Sequence, residues 1–413
     1  MILRARLVLP VSQPPITDGA IWIERDRIRG VGPWRDFSHR RTERVDLGEV
    51  VLMPGILNAH CHLDYTHMAG QFSPPKLFID WLKLITTAKS QWTTEDYRES
   101  WESGAAMLLR TGTTTVADIE AVPELLPRVW DSTPLRIISF LEMIGLTPRR
   151  PPEKVLQEAL DKMESLVGKR CQTGLSPHAP YTAVTGLLEK TAELAKRRGW
   201  LLCTHVAESK AEFTMFAEGR GEMYEWLERS GRAMSDCGLG SPVQHLERHG
   251  ILRKNLLATH VNYLSRGDAA LLAKRKVTVV HCPRSHAYFS HDEFPMRRLL
   301  RAGVNVCLGT DSLASVTKTR RQQVELDMFS EMRVLADRQP WLSPQAILQM
   351  STVNAACALG HGATLGQLAP RALADVIALR VAATPRTVWQ NILEHKGPVA
   401  ASMIGGNWAI APS

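Results

Sequence analysis

Residues 51–62 read VLMPGILNAHCH, and in this stretch an apolar strand runs directly into two histidines. Hydrophobic residues dominate positions 51–59, as expected of a buried strand. His60 and His62 are two positions apart, and side chains two apart on an extended strand point the same way. The stretch therefore predicts a strand that presents two imidazoles on one face at its carboxyl end.

Seven further apolar runs follow, separated by helix-like stretches rich in Ala, Leu, Glu and Lys. Such alternation indicates a parallel sheet covered on both faces, and eight units in about 300 residues fit an α/β fold of the (β/α)8 barrel type. An open doubly wound sheet is the alternative, but the first strand lacks the glycine-rich turn usual there. The predicted strands cover residues 51–59, 113–119, 135–141, 172–176, 201–204, 256–259, 277–280 and 304–308.

The two ends of the chain differ from its middle. Residues 20–24 (AIWIE) alternate apolar and polar positions, and residues 375–379 (DVIAL) form a short apolar run. Both patterns are typical of short strands. We therefore predict that residues 1–53 and 362–413 form one small β-sandwich domain, which flanks a barrel of residues 54–361.

Composition narrows the classes of function. The 413 residues are 44% hydrophobic, which is enough for a large core, and the seven cysteines form no CxxC pair, which argues against disulfides and thiolate zinc sites. The net charge of +8 comes from basic residues spread along the chain, so we expect an anionic substrate or a solvated surface rather than nucleic acid. Without a signal peptide or a membrane-spanning run, we expect a soluble cytoplasmic protein.

Residues able to bind a metal recur where the predicted strands end. Seven of the 14 histidines fall there, and a barrel gathers the carboxyl ends of its strands at one face. Random placement would not concentrate half of the histidines in this way. In chain order the residues are His60, His62, His178, His205, His260, His281, His286 and Asp311.

One divalent metal per chain is the expected cofactor. Imidazoles and one carboxylate form the mixed nitrogen and oxygen set that suits zinc, with room left for a water molecule. Such a metal makes water available as a nucleophile at neutral pH. Asp311 could also cap a helix, a role compatible with metal binding. The predicted ligands are His60, His62, His205 and Asp311.

Three residues are the predicted catalytic set. Glu208 follows His205 by three positions, where a partly desolvated carboxyl would stay protonated and act as a general acid. Its alternative role is to complement a helix dipole. His260 is expected to hydrogen-bond the attacking oxygen or Asp311, and Asp311 is expected to accept the proton of the water.

Other residues of the same rim are predicted substrate contacts. His178 lies between two prolines in residues 176–181 (SPHAPY), which would direct it into the cleft. Arg284 is the natural partner of an anionic substrate group. Structural hydrogen bonds or salt bridges are the alternative roles. The predicted contacts are His178, Arg284, Ser285, His286, Glu142 and His281.

Five segments together resemble the amidohydrolase superfamily, in its branch of cytosine, guanine and S-adenosylhomocysteine deaminases and triazine chlorohydrolases. The resemblance covers nearly the whole chain. It implies a hydrolytic deaminase that releases ammonia, and it implies zinc, or iron as in some relatives, on the ligands named above. It also allows a homodimer, which no residue of the sequence indicates. The segments are residues 54–62, 112–116, 175–181, 205–208 and 308–312.

Residues 281–289 (HCPRSHAYF) are similar to the aminodeoxyfutalosine deaminases of menaquinone synthesis. That likeness implies an amino-substituted nitrogen heterocycle as substrate, such as aminodeoxyfutalosine or an adenosine-type nucleoside. The carboxylate of aminodeoxyfutalosine could meet Arg284. The sequence departs from the pattern of its relatives in two places. Asp64 replaces the Glu of many relatives, and residues 371–375 lack the Gly-Lys usual before Ala-Asp.

Three alternatives stay open. A binuclear cyclic-amide hydrolase of the dihydroorotase kind would need a carboxylated lysine at the end of the fourth strand, where this sequence has His178. A chlorohydrolase-type displacement could use the same residues on the same scaffold. A catalytically silent binding protein is the third alternative, and the presence of Glu208 and all predicted ligands argues against it.

Overall fold

The computed structural model describes residues 1–146, 150–166, 170–318 and 324–412. The strands of these ranges belong to two sheets, one mixed and one parallel. In chain order they are β1 (Ile2–Val8), β2 (Ile16–Glu24), β3 (Arg27–Pro33), β4 (Arg44–Asp46), β5 (Val51–Pro54), β6 (Ile56–Cys61), β7 (Thr113–Glu120), β8 (Arg136–Met143), β9 (Gln172–Pro177), β10 (Leu202–Val206), β11 (Leu256–His260), β12 (Thr278–His281), β13 (Asn305–Leu308), β14 (Val376–Leu379), β15 (Ala401–Ile404) and β16 (Asn407–Ile410).

Helices separate most of the parallel strands, as the alternating sequence pattern predicts. In the described ranges they are α1 (Phe78–Lys89), α2 (Thr94–Arg110), α3 (Leu126–Asp131), α4 (Pro152–Ser165), α5 (Thr185–Arg198), α6 (Lys210–Glu218), α7 (Glu222–Arg229), α8 (Pro242–Arg248), α9 (Asp268–Arg275), α10 (Pro283–Tyr288), α11 (Met296–Ala302), α12 (Met328–Arg338), α13 (Pro344–Met350), α14 (Val353–Ala358) and α15 (Val388–Leu393). Among these helices none is long and apolar enough to cross a bilayer.

The parallel sheet runs from β6 to β13 in chain order and forms the predicted (β/α)8 barrel. Its strands are almost fully buried, as expected when helices cover the sheet. β13 returns to β6, where Cys61 and Asp311 form a parallel bridge and the Asp311 N–H donates to the His60 carbonyl at 3.1 Å. The last strand therefore meets the first at the two predicted histidine ligands.

The mixed sheet combines both ends of the chain, as predicted. Its strand order is β16-β15-β14-β5-β1-β2-β3, and β4 pairs with β1. β5 lies between β1, to which it is parallel, and β14, to which it is antiparallel. Leu3, Ile21 and Met403 belong to a separate apolar cluster on this sheet. The domain boundaries at 53/54 and 361/362 stay a prediction.

The prediction of one strand over residues 51–59 was wrong. The run divides at Gly55 into β5 of the mixed sheet and β6 of the barrel. Gly55 donates its N–H to the Asp375 carbonyl at 3.0 Å, and its α-carbon lies against the Thr114 side chain. Unbroken apolar composition concealed this change of sheet, because both strands are buried.

Gly55→Ala should lower the free energy of unfolding by about 1–3 kcal/mol, the usual result of overpacking a dense interior. An alanine Cβ would lie 2.1 Å from Thr114 Oγ1. Urea denaturation should show a lower midpoint with an unchanged slope. The control is Gly186→Ala in α5, where the nearest atom outside the helix is 3.4 Å away and alanine favours the helix. Equal midpoints for Gly55→Ala and wild type would contradict the prediction.

Candidate metal and active site

Four predicted ligands meet at the carboxyl face of the barrel. His60 lies on β6 and His62 directly follows it, His205 lies on β10, and Asp311 follows β13. The Nε2 atoms of His62 and His205 are 3.3 Å apart. Asp311 Oδ1 lies 3.6 Å from His62 Nε2 and 3.8 Å from His60 Nε2. Donor atoms of His60, His62 and Asp311 lie within 4.8 Å of one another, and so do donor atoms of His60, His205 and His260.

Contacts on the far sides of the rings direct the Nε2 atoms inward. His205 Nδ1 donates to the His178 carbonyl at 2.8 Å, which leaves its Nε2 with a free lone pair. His60 Nδ1 lies 3.3 Å from Thr259 Oγ1, and its buried Nε2 has no hydrogen-bond partner among the described residues. Unpaired buried nitrogens of this kind are costly unless something else binds them.

Burial decides the charge of these groups. Desolvation and the neighbouring imidazoles lower the pKa of His60 and of His62 well below the ordinary value, so both rings are neutral. Burial also raises the pKa of Asp311, although the Ser285 and Ser315 hydroxyls act to lower it. A cluster of neutral imidazoles beside one carboxyl is the donor set expected of a divalent metal site.

Glu208 and His260 lie beside this cluster. Glu208 Oε1 is 3.5 Å from His260 Nε2, and both residues have an atom within 4.8 Å of the Asp311 carboxylate. Burial raises the pKa of Glu208 well above its ordinary value, with help from the nearby Asp311 and Glu212. This shift favours the protonated carboxyl, which is the form that can donate a proton.

Glu212 fixes the backbone that carries Glu208. Its carboxylate accepts the N–H groups of Ala207 and Glu208, each at 2.9 Å. Asn262 adds a hydrogen bond to the Glu208 carbonyl at 2.8 Å. Glu212 therefore has a structural role at this site, because it holds the backbone from which Glu208 projects.

Four residues of this rim have a strained backbone. Ala207, His260, Val261 and Asp311 have positive φ angles of 49°, 75°, 52° and 54°. Such conformations cost free energy for residues other than glycine, and the surrounding hydrogen bonds must hold them. The strand ends are thus shaped to aim particular side chains.

A cavity of about 310 Å³ opens above the ligand cluster. Its walls combine apolar and aromatic groups with a few polar ones, as small-molecule sites do. Glu142 and His178 line it as predicted, with 3.9 Å between Glu142 Oε1 and His178 Nε2. Lining residues outside the predicted set include Tyr65, Trp81, Ile85, Lys89, Tyr181 and Trp226.

These additional residues come largely from α1 and α7. Trp81 and Ile85 lie four positions apart on α1, so they share one face of the helix. That spacing was visible in the sequence, but an apolar helix face looks the same whether it covers a core or a cavity. Lys89 is the cation on this wall, where it contacts the Tyr65 hydroxyl.

Arg284 does not lie in this cavity. Its guanidinium pairs with Glu331, which is fully buried, and its Nη1 donates to the Glu325 carbonyl at 2.9 Å. Its backbone N–H also donates to Glu331 at 2.9 Å. Glu331 lies on α12, so an ion pair across 47 positions holds Arg284 outside the cavity lining.

His281 and His286 also lie away from the cavity lining. The His281 ring stacks on Phe294 with 3.7 Å between centroids, and His286 contacts the rings of His281 and His291 edge-on. Ser285 is buried close to Asp311 rather than exposed to a substrate. Of the predicted substrate contacts, the structure brings only His178 and Glu142 to the cavity wall.

Comparison with known proteins gives one family and several relatives. A model of the amidohydrolase family matches residues 51–409. The 5-methylthioadenosine/S-adenosylhomocysteine deaminase of Syntrophobacter fumaroxidans is 31% identical over 378 residues, which cover 87% of this chain and 80% of that protein. The 5′-deoxyadenosine deaminase of Methanothermobacter thermautotrophicus is 29% identical over 403 residues, which cover 93% of this chain and 87% of that protein.

Solved structures match the fold over nearly its whole length. The aminofutalosine deaminase of Helicobacter pylori superimposes with a TM-score of 0.87 at 20% identity and covers 98% of this chain and 99% of that chain. The adenosine deaminase of Xanthomonas campestris with bound zinc gives a TM-score of 0.84 at 24% identity, and the match covers 98% of this chain and 92% of that chain. At these identities the likeness shows a common fold.

Arg284→Met should destabilise the protein by about 3–5 kcal/mol, because it leaves the Glu331 carboxylate buried without its cation. Chemical denaturation measures this loss. The double variant Arg284→Met, Glu331→Leu removes both charges and should recover most of it. If Arg284 were a substrate contact, the single variant would keep near-normal stability and show a raised KM.

Proposed function

The chain belongs to the amidohydrolase family, and we propose that it is a metal-dependent hydrolytic deaminase of an amino-substituted purine nucleoside. The observation that carries this proposal is the meeting of three imidazoles, Asp311 and Glu208 at one cavity, where burial raises the pKa of Glu208. Relatives named as deaminases of 5-methylthioadenosine, S-adenosylhomocysteine and 5′-deoxyadenosine support the substrate class.

The cofactor that fits the donor set is one zinc ion per chain. Imidazole and carboxylate donors are typical of catalytic zinc sites, which keep a position for water. The unpaired, buried Nε2 of His60 is the observation that tests this fit. When bound, the ion supplies a water molecule whose pKa is lowered toward 7. The proposed ligands are His60, His62, His205 and Asp311.

The chain's own residues then handle the protons. Glu208, kept neutral by burial, donates its proton to the ring nitrogen next to the carbon that bears the amine, which makes that carbon electrophilic. The water oxygen bonds to that carbon while Asp311 accepts one of its protons and passes it to the amine. The C–N bond breaks, ammonia leaves, and the remaining hydroxyl proton returns to Glu208 as the C=O group forms. In this proposal His260, whose Nε2 lies 3.5 Å from Glu208 Oε1, hydrogen-bonds the oxygen that replaces the nitrogen.

The cavity suits a flat heterocycle with a polar substituent. Trp81, Tyr181 and Trp226 offer aromatic surface, and Glu142 and His178 offer hydrogen-bonding groups on the wall. Burial lowers the pKa of His178 to about 4, so its ring is neutral. A purine ring with its ribose presents the matching combination of an apolar face and hydroxyl groups.

Ammonia release from nucleosides tests the proposal directly. We expect turnover with at least one of 5′-methylthioadenosine, S-adenosylhomocysteine, 5′-deoxyadenosine and aminofutalosine. Release of chloride from a chlorotriazine, with no ammonia from any nucleoside, would favour the chlorohydrolase alternative instead. Hydrolysis of a cyclic amide alone would favour the dihydroorotase kind.

Glu208→Gln should retain zinc and turn over about 10²–10⁴-fold more slowly, because an amide cannot supply the acidic proton. Metal analysis and steady-state ammonia release on the same preparation measure both effects. Glu218→Gln changes an exposed carboxyl on α6 and should leave turnover unchanged. Near-full turnover of Glu208→Gln with zinc bound would show that another group donates the proton.

Removing the metal should abolish turnover and lower the melting temperature. A ligand that binds only the folded state stabilises it, by about 2.7 kcal/mol at a hundredfold excess over Kd. Adding zinc to the chelated protein should restore both properties. His60→Asn should lose the zinc-dependent rise in Tm, whereas His39→Asn at an exposed position should keep it. An equal rise in both variants would exclude His60 as a ligand.

A further inference from the structure

A fully buried guanidinium lies outside the residues described so far. Arg232 follows α7, and only 1% of its side chain is exposed. Its Nη1 and Nη2 each donate to the Asp236 carboxylate at 2.8 Å, and Nη1 also donates to the Ala233 carbonyl at 2.8 Å. Nε donates to the Tyr181 carbonyl at 3.0 Å and Nη2 to the Pro180 carbonyl at 3.2 Å. All five N–H groups of Arg232 are therefore used.

The carbonyls that Arg232 binds belong to the turn after β9, which begins with His178. The His178 carbonyl accepts two hydrogen bonds from His205, one from its backbone N–H at 2.9 Å and one from its ring Nδ1 at 2.8 Å. A carbonyl can only accept, so Nδ1 carries the ring proton and Nε2 keeps its lone pair. The position of this turn thus sets the tautomer and the direction of His205.

A contribution to the free energy of unfolding is a weak reason for burying the Arg232–Asp236 ion pair. Removing two charges from water is costly, and apolar replacements of buried ion pairs are often equally stable or more so. Arginine differs from lysine in that its planar fork fixes several acceptors in one geometry. Here the guanidinium links the segment after α7 to the turn beside the proposed metal ligands, and so it fixes the position of one relative to the other.

We propose that Arg232 is a positioning residue of the metal site. Its fork holds the turn at Pro180 and Tyr181, the turn holds the His178 carbonyl, and that carbonyl aims His205 Nε2 at the metal position. The inference rests on the proposed function, in that it assumes a metal on His205. Loss of an outer hydrogen-bond partner of a metal ligand usually weakens metal affinity about 10–100-fold.

Arg232→Lys tests this role, because it keeps the charge and removes the fork. Arg229→Lys, at an exposed position on α7, is the matched control. Zinc affinity is measured by competition with a chelating dye, and hydrogen exchange of the His205 amide is followed by mass spectrometry in the metal-free protein. We expect Arg232→Lys to bind zinc at least tenfold more weakly and to exchange faster at His205, and we expect Arg229→Lys to match wild type.

A merely structural Arg232 would lower the melting temperature and leave zinc affinity and His205 exchange unchanged, and this result would overturn the inference. If Arg232→Lys does not fold, Asp236→Asn serves instead, because it weakens the ion pair that holds the Arg232 guanidinium. It should likewise weaken zinc binding and speed exchange at His205. If wild type binds no zinc, the proposed function fails. The exchange comparison then still decides whether Arg232 holds the turn.

Discussion

The contact that closes the barrel also assembles the site. β13 meets β6 where the Asp311 N–H donates to the His60 carbonyl at 3.1 Å. Gly309 permits this approach, because a Cβ there would lie 2.7 Å from the same carbonyl oxygen. This hydrogen bond therefore joins the ends of the first and last barrel strands through two proposed ligands, and Asn58 adds hydrogen bonds to Thr310 beside it.

Burial gives the imidazoles and the carboxyl groups of this site complementary states. Removal from water disfavours the charged form of any group. It lowers the pKa of His60, which favours a neutral ring with a lone pair, and it raises the pKa of Glu208, which favours the protonated carboxyl. Burial at one face thus favours both of the states that the proposed ligands and the proposed acid require.

Sequence alone identified the residues that meet at the barrel rim, because strand ends of a closed barrel converge whatever the loops do. It failed where a distant partner decides the direction of a side chain. Arg284 lies on the expected loop, but its partner Glu331 is 47 positions away and no local pattern marks it. Trp81 and Trp226 were missed because a helix pattern shows which face is apolar and not what that face covers. The break at Gly55 was hidden by unbroken apolar composition.

The barrel strands contact the mixed sheet at their starts and the cavity at their carboxyl ends, as β8 shows. At its start Arg136 makes a two-pronged pair with buried Asp375, with 2.6 Å from Nε to Oδ2 and 3.1 Å from Nη2 to Oδ1. At its end Glu142 lines the cavity. β6 likewise starts next to Gly55, which donates to the Asp375 carbonyl, and ends at His60. Because Asp375 holds the starts of these strands, the departure from the family pattern at residues 371–375 lies at the end of the barrel opposite the cavity.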